Sequence, residues 1–200
     1  MKINTYADPF PYLLIEDLYT EEEETLIKKE LDFFLPSLKE PLLTGTATDI
    51  DTGEVLKRIK GIFLDEVFTD RSVSYILKIN RKTFSVLEEQ KEKTDVWFFK
   101  HQKTNRDNTL ISYYETGDYY RVHDDNALFT VLTWFYKGPR SFTGGDFVFP
   151  GYNIRIECKN NMTVIFPSMI QHGVEDVKVD DDKLGQGYGR WCLTQFGTIS

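Results

Sequence analysis

Hydrophobic side chains recur at two different spacings along this chain, and each spacing predicts a different kind of element. Between residues 20 and 36 the apolar positions repeat every three or four residues, the period of a helix with one buried face. Thr20 and Glu23 have the spacing of a capping box, and Pro36 ends the pattern. The sequence therefore predicts a helix that begins after Thr20, preceded by a short strand over residues 10–16.

The rest of the N-terminal half predicts a turn followed by a second helix. Residues 44–64 are predicted to form a β-hairpin or a mobile flap, because Asp51, Thr52 and Gly53 are together typical of a turn. A helix is predicted over residues 72–91, where apolar residues return at helical spacing. We expect both helices to pack on the sheet that follows.

From residue 94 onward the pattern changes to short apolar runs separated by turn residues. The predicted strands cover residues 109–114, 119–123, 128–136, 146–149, 153–158, 162–166, 172–179 and 189–196. This arrangement predicts a mainly β fold with flanking helices (α+β). Its core, about residues 94–200, would be a double-stranded β-helix, or jelly roll. About residues 1–93 would form its helical support, so that residues 1–200 make one domain.

Composition and charge narrow the class of protein. Acidic residues number 32 against 24 basic ones, and a formal net charge of −8 argues against non-specific binding to nucleic acid, although Lys57, Arg58 and Lys60 form a local basic cluster. No apolar run reaches the length of a signal peptide or a membrane span, so we expect a cytoplasmic protein that does not bind membranes. The two cysteines, Cys158 and Cys192, are predicted to be reduced thiols in the core.

Three side chains form a candidate metal site. Alternation along a strand points His123 and Asp125 to one face and Asp124 to the other. His172 follows 49 residues after His123 and would enter from a distant strand. His101, the third histidine, lies in a polar segment and is predicted to be solvated.

Two imidazoles and one carboxylate on one face of a metal leave three coordination positions open, the arrangement of non-haem Fe(II) oxygenases. The same ligands also suit Mn, Co, Ni or Zn. Arg190, 18 residues after His172, would supply a fixed cation for a diacid co-substrate. An alternative from another class is a non-catalytic jelly roll that binds metal or sugar, although such a module has no need of Arg190.

Four motifs carry a resemblance to a known family. They are Tyr-x-x-Gly-x-Tyr-Tyr-x-x-His-x-Asp from Tyr114, Gly-Gly-Asp-Phe-x-Phe-Pro from Gly144, His-x-Val at His172 and Gly-Tyr-Gly-Arg-Trp-Cys-Leu-Thr over residues 187–194. Over about residues 105–197 the chain resembles 2-oxoglutarate/Fe(II)-dependent dioxygenases of the prolyl 4-hydroxylase type.

The resemblance implies roles for individual residues. His123, Asp125 and His172 match the iron ligands, and Arg190 matches the residue that binds the distal carboxylate of 2-oxoglutarate. Tyr114 matches a tyrosine that hydrogen-bonds this co-substrate. Many relatives have a serine where Cys192 stands, so the resemblance leaves open whether Tyr114, Thr130 or no hydroxyl replaces it.

The resemblance also implies a reaction. The expected enzyme uses Fe(II), O2 and 2-oxoglutarate, with ascorbate as reductant, to hydroxylate a prolyl residue in a peptide or protein. 2-Oxoglutarate would be converted to succinate and CO2. Hydroxylation of free proline or another small amino acid is the alternative: a wide groove would favour the peptide and an enclosed pocket the amino acid. The sequence leaves the acceptor, the stereochemistry and the oligomeric state open.

Overall fold

The structure is a computed structural model that describes residues 1–44, 48–49 and 51–199. Within these ranges the strands β1 to β14 are Lys2–Tyr6, Tyr12–Glu16, Lys57–Arg58, Lys60–Phe63, Arg106–Tyr114, Tyr119–His123, Phe129–Phe135, Phe142–Gly144, Phe147–Phe149, Ile154–Ile156, Met162–Pro167, His172–Val174, Val177–Val179 and Arg190–Thr198. The helices α1 to α5 are Glu21–Phe34, Leu64–Val67, Tyr75–Ile79, Lys82–Lys93 and Trp97–Lys100. None of these helices is long and apolar enough to cross a membrane.

The strands of the described residues form two main antiparallel sheets and a two-stranded ribbon. The large sheet has the order β1-β2-β11-β7-β14-β5-β4, and the small sheet has the order β10-β9-β12-β6-β3. β13 and β8 form the ribbon. Apolar side chains from both main sheets, such as Trp134 and Phe147, pack into one cluster between them. The predicted mainly β jelly-roll fold is therefore confirmed.

A second hydrophobic core lies between the large sheet and the helices. Side chains of β14 alternate between the two cores: Cys192 packs between the sheets, whereas Trp191 and Leu193 pack on the helical side. Ile27 and Leu31 of α1 belong to the same helical core. The large sheet is thus buried on both faces, which explains the uninterrupted burial of β7, β11 and most of β14.

Helix α1 begins as its sequence predicts. The Thr20 side chain accepts a hydrogen bond from the Glu23 backbone N–H, and the Glu23 carboxylate accepts one from the Thr20 N–H. These reciprocal bonds satisfy two backbone donors that the first turn would otherwise leave unpaired. The helix ends at Phe34, before a 3-10 turn that contains Pro36.

The prediction of one helix over residues 72–91 is wrong, because this segment is a 3-10 turn followed by α3 and α4. Ser74 caps α3 by accepting a hydrogen bond from the Leu77 backbone N–H. Asn80 ends that helix, and its buried side-chain amide donates to the Thr109 hydroxyl at 2.9 Å. A contact with a strand 29 residues away therefore breaks a pattern that is continuous in the sequence.

Two predicted β segments also differ from the structure. Residues 172–179 form two strands rather than one, because β12 joins the small sheet and β13 joins the ribbon. Residues 44–64 contain a short hairpin about the predicted turn, in which Thr48 and Val55 form an antiparallel bridge, but the segment then divides: β3 pairs with β6 of the small sheet, whereas β4 pairs with β5 of the large one. A turn does lie near Gly53, which has a φ of +71°. Part of the predicted flap, residues 45–47 and 50, lies outside the described residues.

Candidate active site

A cavity of about 420 Å³ opens between the two main sheets. The predicted metal-binding residues His123, Asp125 and His172 all line it, as do Tyr114 and Cys192. The other residues of its wall come from both main sheets and from the segment before β3. They include Leu110, Leu132, Phe147, Val174, Lys57 and Thr44.

The two histidines face each other across neighbouring strands. β6 and β12 pair so that His123 stands opposite His172, and their ring centroids are 4.4 Å apart. The Nδ1 atom of His123 lies 2.8 Å from the Arg121 carbonyl oxygen, and that of His172 lies 2.8 Å from the Ile170 carbonyl oxygen. A carbonyl can only accept, so each Nδ1 carries the proton and each Nε2 keeps a free lone pair. Both rings are therefore prepared to bind a cation through Nε2.

Asp125 reaches the site differently from the sequence prediction. β6 ends at His123, so Asp125 lies in the loop beyond the strand rather than on its face. Its backbone N–H donates to the Ser168 carbonyl at 3.0 Å, and the Thr130 hydroxyl donates to Oδ2 at 2.6 Å. These two bonds to neighbouring segments, rather than strand alternation, fix the direction of the carboxylate.

The three side chains together form a compact donor set. Asp125 Oδ1 lies 3.7 Å from His123 Nε2, and Asp125 Oδ2 lies 3.4 Å from His172 Nε2. One ligand atom from each residue lies within 4.8 Å of the others. Two nitrogens and one oxygen at this spacing fit a single divalent transition metal with further coordination positions open.

Burial sets the charge of this donor set. The side chain of His123 is only 7% exposed, and burial together with the neighbouring His172 lowers the pKa of His123 to about 4. Burial alone would raise the pKa of Asp125, but the proximity of His172 and the Thr130 hydroxyl lowers it. At neutral pH the His123 ring is therefore neutral and the carboxylate is charged, which are the states that bind metal.

Arg190 lies fully buried at the start of β14, beside the cavity wall. Its guanidinium carbon is 4.6 Å from the centre of the Tyr114 ring and 5.5 Å from that of Trp134. Gly145 leaves room for it, because a Cβ there would lie 2.8 Å from Arg190 Cδ. Gly189 is needed just before it, since a Cβ at that position would lie 2.1 Å from the Tyr114 carbonyl oxygen.

The charge of Arg190 has no counter-ion among the described residues. None of its three side-chain nitrogens makes a hydrogen bond of normal geometry within the described ranges, and the polar groups that lie close to it, those of Tyr114, Cys158 and Cys192, are not carboxylates. Burial raises the pKa of its neighbours Cys158, Cys192 and Tyr114, which are therefore neutral at neutral pH. A buried cation without a partner is costly, so the geometry fits a carboxylate that arrives with a ligand.

The structure distinguishes between the hydroxyls considered as replacements for the serine expected at position 192. The Thr130 hydroxyl donates to Asp125 and also lies 2.8 Å from the Ser168 hydroxyl, so it is occupied within the metal-ligand group. Tyr114 stands opposite Arg190 in the β5–β14 ladder and packs against its guanidinium. Tyr114 therefore remains the candidate to share a carboxylate with Arg190.

Sequence reasoning missed two parts of the site. The support of Asp125 by Ser168 and Thr130 depends on contacts between distant segments and leaves no local signal. Lys57 stands out in the sequence only as part of a basic cluster, yet it is 4% exposed and lines the cavity. Its burial follows from the pairing of β3 with β6, which the sequence did not indicate. His101, predicted to be solvated, is exposed to solvent.

A comparison with models of protein families gives a match in the C-terminal half of the chain. Residues 109–197 match the sequence model of the 2OG-Fe(II) oxygenase superfamily, a range that contains all five predicted site residues. A comparison with curated protein sequences finds no significant match.

Solved structures share the fold. The 2OG complex of the viral collagen prolyl hydroxylase from Paramecium Bursaria Chlorella virus-1 superposes with a TM-score of 0.60 at 16% identity, over 94% of this chain and 96% of that one. A prolyl-4-hydroxylase from Pseudomonas putida superposes with a TM-score of 0.61 at 12% identity, over 94% of this chain and 92% of that one. Residues 109–197 are thus similar to the 2OG-Fe(II) oxygenase superfamily that the motifs indicated, and the chain shares the fold of these two prolyl hydroxylases.

Proposed function

We propose that this enzyme hydroxylates a prolyl residue of a peptide or protein, with Fe(II) bound by His123, Asp125 and His172. 2-Oxoglutarate would bind with its distal carboxylate on Arg190. The observation that carries this proposal is the fully buried guanidinium, which has no counter-ion in the described residues and packs on Tyr114, a wall residue of the cavity that also holds the three converging metal donors.

Each residue has a distinct task in this proposal. The backbone carbonyls that accept from Nδ1 of His123 and His172 fix both rings, so that each would offer Nε2 to a bound ion. The guanidinium of Arg190 stays charged at any physiological pH and offers parallel donors to a carboxylate. Tyr114, which stands beside Arg190 on the neighbouring strand, would donate its hydroxyl to the same group.

The bound group supplies the oxidative chemistry: Fe(II), O2 and 2-oxoglutarate together insert one oxygen atom into a C–H bond and yield succinate and CO2. The protein excludes water around it. Tyr120 stacks on the His123 ring at 3.6 Å, and the rings of Phe147 and Phe166 lie 5.4 and 4.8 Å from that of His172. These apolar walls protect the reacting centre from solvent. Ascorbate is the proposed reductant that keeps the iron ferrous.

Two observations bear on the identity of the acceptor. The shared fold with prolyl hydroxylases favours a prolyl residue. A cavity of about 420 Å³ with a buried lysine in its wall favours the second candidate, free proline or another small amino acid. We also infer that the chain works as one domain, because one hydrophobic core joins α1, α3 and α4 to the large sheet.

Turnover of 2-oxoglutarate tests the proposal. Purified enzyme with Fe(II) and ascorbate should release succinate, and a panel of proline-containing peptides and free amino acids should include an acceptor that gains one oxygen atom by mass spectrometry. His172→Ala should release no succinate above background, and His101→Ala should match the wild type. Absence of succinate across the whole panel, from wild-type enzyme shown to bind the metal, would refute the proposed reaction.

A further inference from the structure

Lys57 is a buried cation in the wall of the same cavity. It belongs to β3, pairs with Tyr120 of β6, and is 4% exposed. Its Nζ lies 6.0 Å from the centre of the Tyr120 ring, and that ring stacks on His123. The ammonium group is therefore separated from a metal-ligand histidine by one aromatic ring.

The hydrogen bonds of Lys57 leave its charge uncompensated. Nζ donates to the Thr44 hydroxyl at 2.9 Å and to the Thr44 carbonyl at 3.2 Å, both neutral acceptors. No carboxylate among the described residues forms an ion pair with it, and the positions outside those ranges carry no acidic side chain. Burial lowers the pKa of Lys57 to about 8, so the group still carries its charge at neutral pH.

The neighbouring basic residues of the same segment behave differently. Lys60 pairs with Glu40 at 3.2 Å, and Arg58 pairs with Asp118 at 3.6 Å, and both basic side chains are more than half exposed. Lys57 alone among these three is buried, faces the cavity and lacks an acidic partner in the described chain. This contrast indicates a ligand-binding role rather than a surface charge.

The proposed ligands do not account for this charge. Fe(II), the Asp125 carboxylate, the Arg190 guanidinium and the dianion of 2-oxoglutarate together carry no net charge when the ligand histidines are neutral. Asp124 also lines the cavity, but it is exposed to solvent and forms no ion pair with Lys57. The loaded site thus keeps one buried positive charge, and an incoming anion would gain a charge-assisted hydrogen bond from it.

We propose that Lys57 determines specificity by binding a carboxylate of the acceptor substrate, so that the enzyme selects an acceptor with a free carboxylate near the hydroxylated carbon. A free amino acid or the C-terminal residue of a peptide has this chemistry, whereas an internal prolyl residue of a protein does not. The inference rests on the proposed function, because it treats the same cavity as the acceptor site.

Matched acid and amide pairs test this inference by binding, without turnover. Wild-type enzyme containing Mn(II) and 2-oxoglutarate, kept anaerobic, would be titrated by calorimetry with the free L-amino acids and their amides, and with dipeptides ending in proline and their amides. At least one acid should bind about 10- to 100-fold more tightly than its amide. Tight binding of amino acids alone, or of dipeptides alone, identifies which source supplies the carboxylate.

Three variants assign that preference to Lys57. Lys57→Met should bind acid and amide equally, Lys57→Arg should retain the preference, and Lys60→Met should match the wild type. Equal binding of acids and amides by wild-type enzyme, or no binding of either, overturns the inference. An equal loss of acid and amide binding in Lys57→Met also overturns it, because it indicates that Lys57 only holds the Thr44 segment in place.

Two further results separate this inference from the proposed function. A loss of 2-oxoglutarate affinity in Lys57→Met, with acceptor preference unchanged, would assign the lysine to the co-substrate and overturn the inference. Wild-type enzyme that releases succinate but shows no preference for acids retains the proposed function and loses only the role of Lys57.

Discussion

Arg190 and His123 are both held in electrostatic states that would be unfavourable in an ordinary protein interior. Arg190 keeps a positive charge with no hydrogen-bond acceptor in the described residues, and His123 is kept neutral by burial. Charge states of this kind lower the stability of the ligand-free protein. Ligand binding restores the lost stability. The loss of folding stability at Arg190 and His123 therefore indicates that these residues bind ligands.

Replacing Arg190 with methionine should stabilise the metal-free protein. The substitution removes a buried charge that lacks a partner and leaves an apolar side chain of similar length, so the free energy of unfolding should rise by about 1–4 kcal/mol. Urea denaturation of the metal-free wild type and variant measures this change in the free energy of unfolding.

Arg140→Met is the matched control. The three guanidinium nitrogens of Arg140 donate to the backbone carbonyls of Phe142, Cys158 and Gly144, so its loss should lower the free energy of unfolding by at least about 1 kcal/mol. If both variants are destabilised alike, Arg190 already has a partner in the ligand-free protein.

His123 should make the metal-free protein sensitive to acid. Its pKa is lowered from 6.5 to about 4 in the folded state, so between these values the unfolded chain binds a proton that the folded chain does not. Stability should be unaffected by His123 above pH 6.5 and should fall as pH decreases toward 4, by about 3 kcal/mol in total. Denaturant titrations at several pH values measure this slope.

Comparison of two asparagine variants isolates the contribution of His123 to the acid sensitivity of the free energy of unfolding. His123→Asn should lose much less stability than the wild type between pH 6.5 and 4, whereas His101→Asn, at an exposed site, should follow the wild type. Parallel pH profiles for all three proteins would mean that His123 is not the buried neutral group described above.

At the scale of elements, the sequence predicted those features that neighbouring residues determine. The capping box of α1 involves only Thr20 and Glu23, and the strand over residues 119–123 agrees with β6. Features that depend on distant contacts were missed. Asn80 breaks the second helix through its bond to Thr109, and β1, with one apolar aliphatic residue among five, is held to β2 by backbone pairing.

The capping box gives a prediction for α1. Thr20→Ala removes the acceptor for the Glu23 backbone N–H and should lower the free energy of unfolding by about 1 kcal/mol, measured from the urea midpoint. Thr25→Ala is the control, since Thr25 is exposed within the helix and its hydroxyl donates only to the Glu21 carbonyl. Equal destabilisation by the two changes would show that the cap does not stabilise the helix.

The candidate site shows the same division between local and distant determinants. The motif residues His123, Asp125, His172, Arg190 and Tyr114 were recognisable because each stands in a characteristic local sequence. The role of Lys57 was not, because its burial results from β3 crossing to the small sheet while β4 joins the large one. The bonds of Thr130 and Ser168 to Asp125 likewise exist only once β7 and the end of β11 lie side by side.

For the whole molecule, two facing sheets bring residues from three parts of the chain to one cavity. The small sheet supplies both histidines and, from its edge strand β3, Lys57, whereas the large sheet supplies Tyr114, on which Arg190 packs. The helices stabilise the large sheet from its other face, away from the cavity.

Binding of 2-oxoglutarate in the presence of Mn(II) tests the central claim most directly. Calorimetry of the wild type, His172→Ala and Arg190→Met should show one 2-oxoglutarate per metal ion in the wild type and neither ligand bound in His172→Ala. Arg190→Met should bind Mn(II) with wild-type affinity but 2-oxoglutarate about 100-fold more weakly, the loss of one buried charge-assisted pair. Unchanged 2-oxoglutarate affinity in Arg190→Met, or retained metal in His172→Ala, would contradict the assignment of this site.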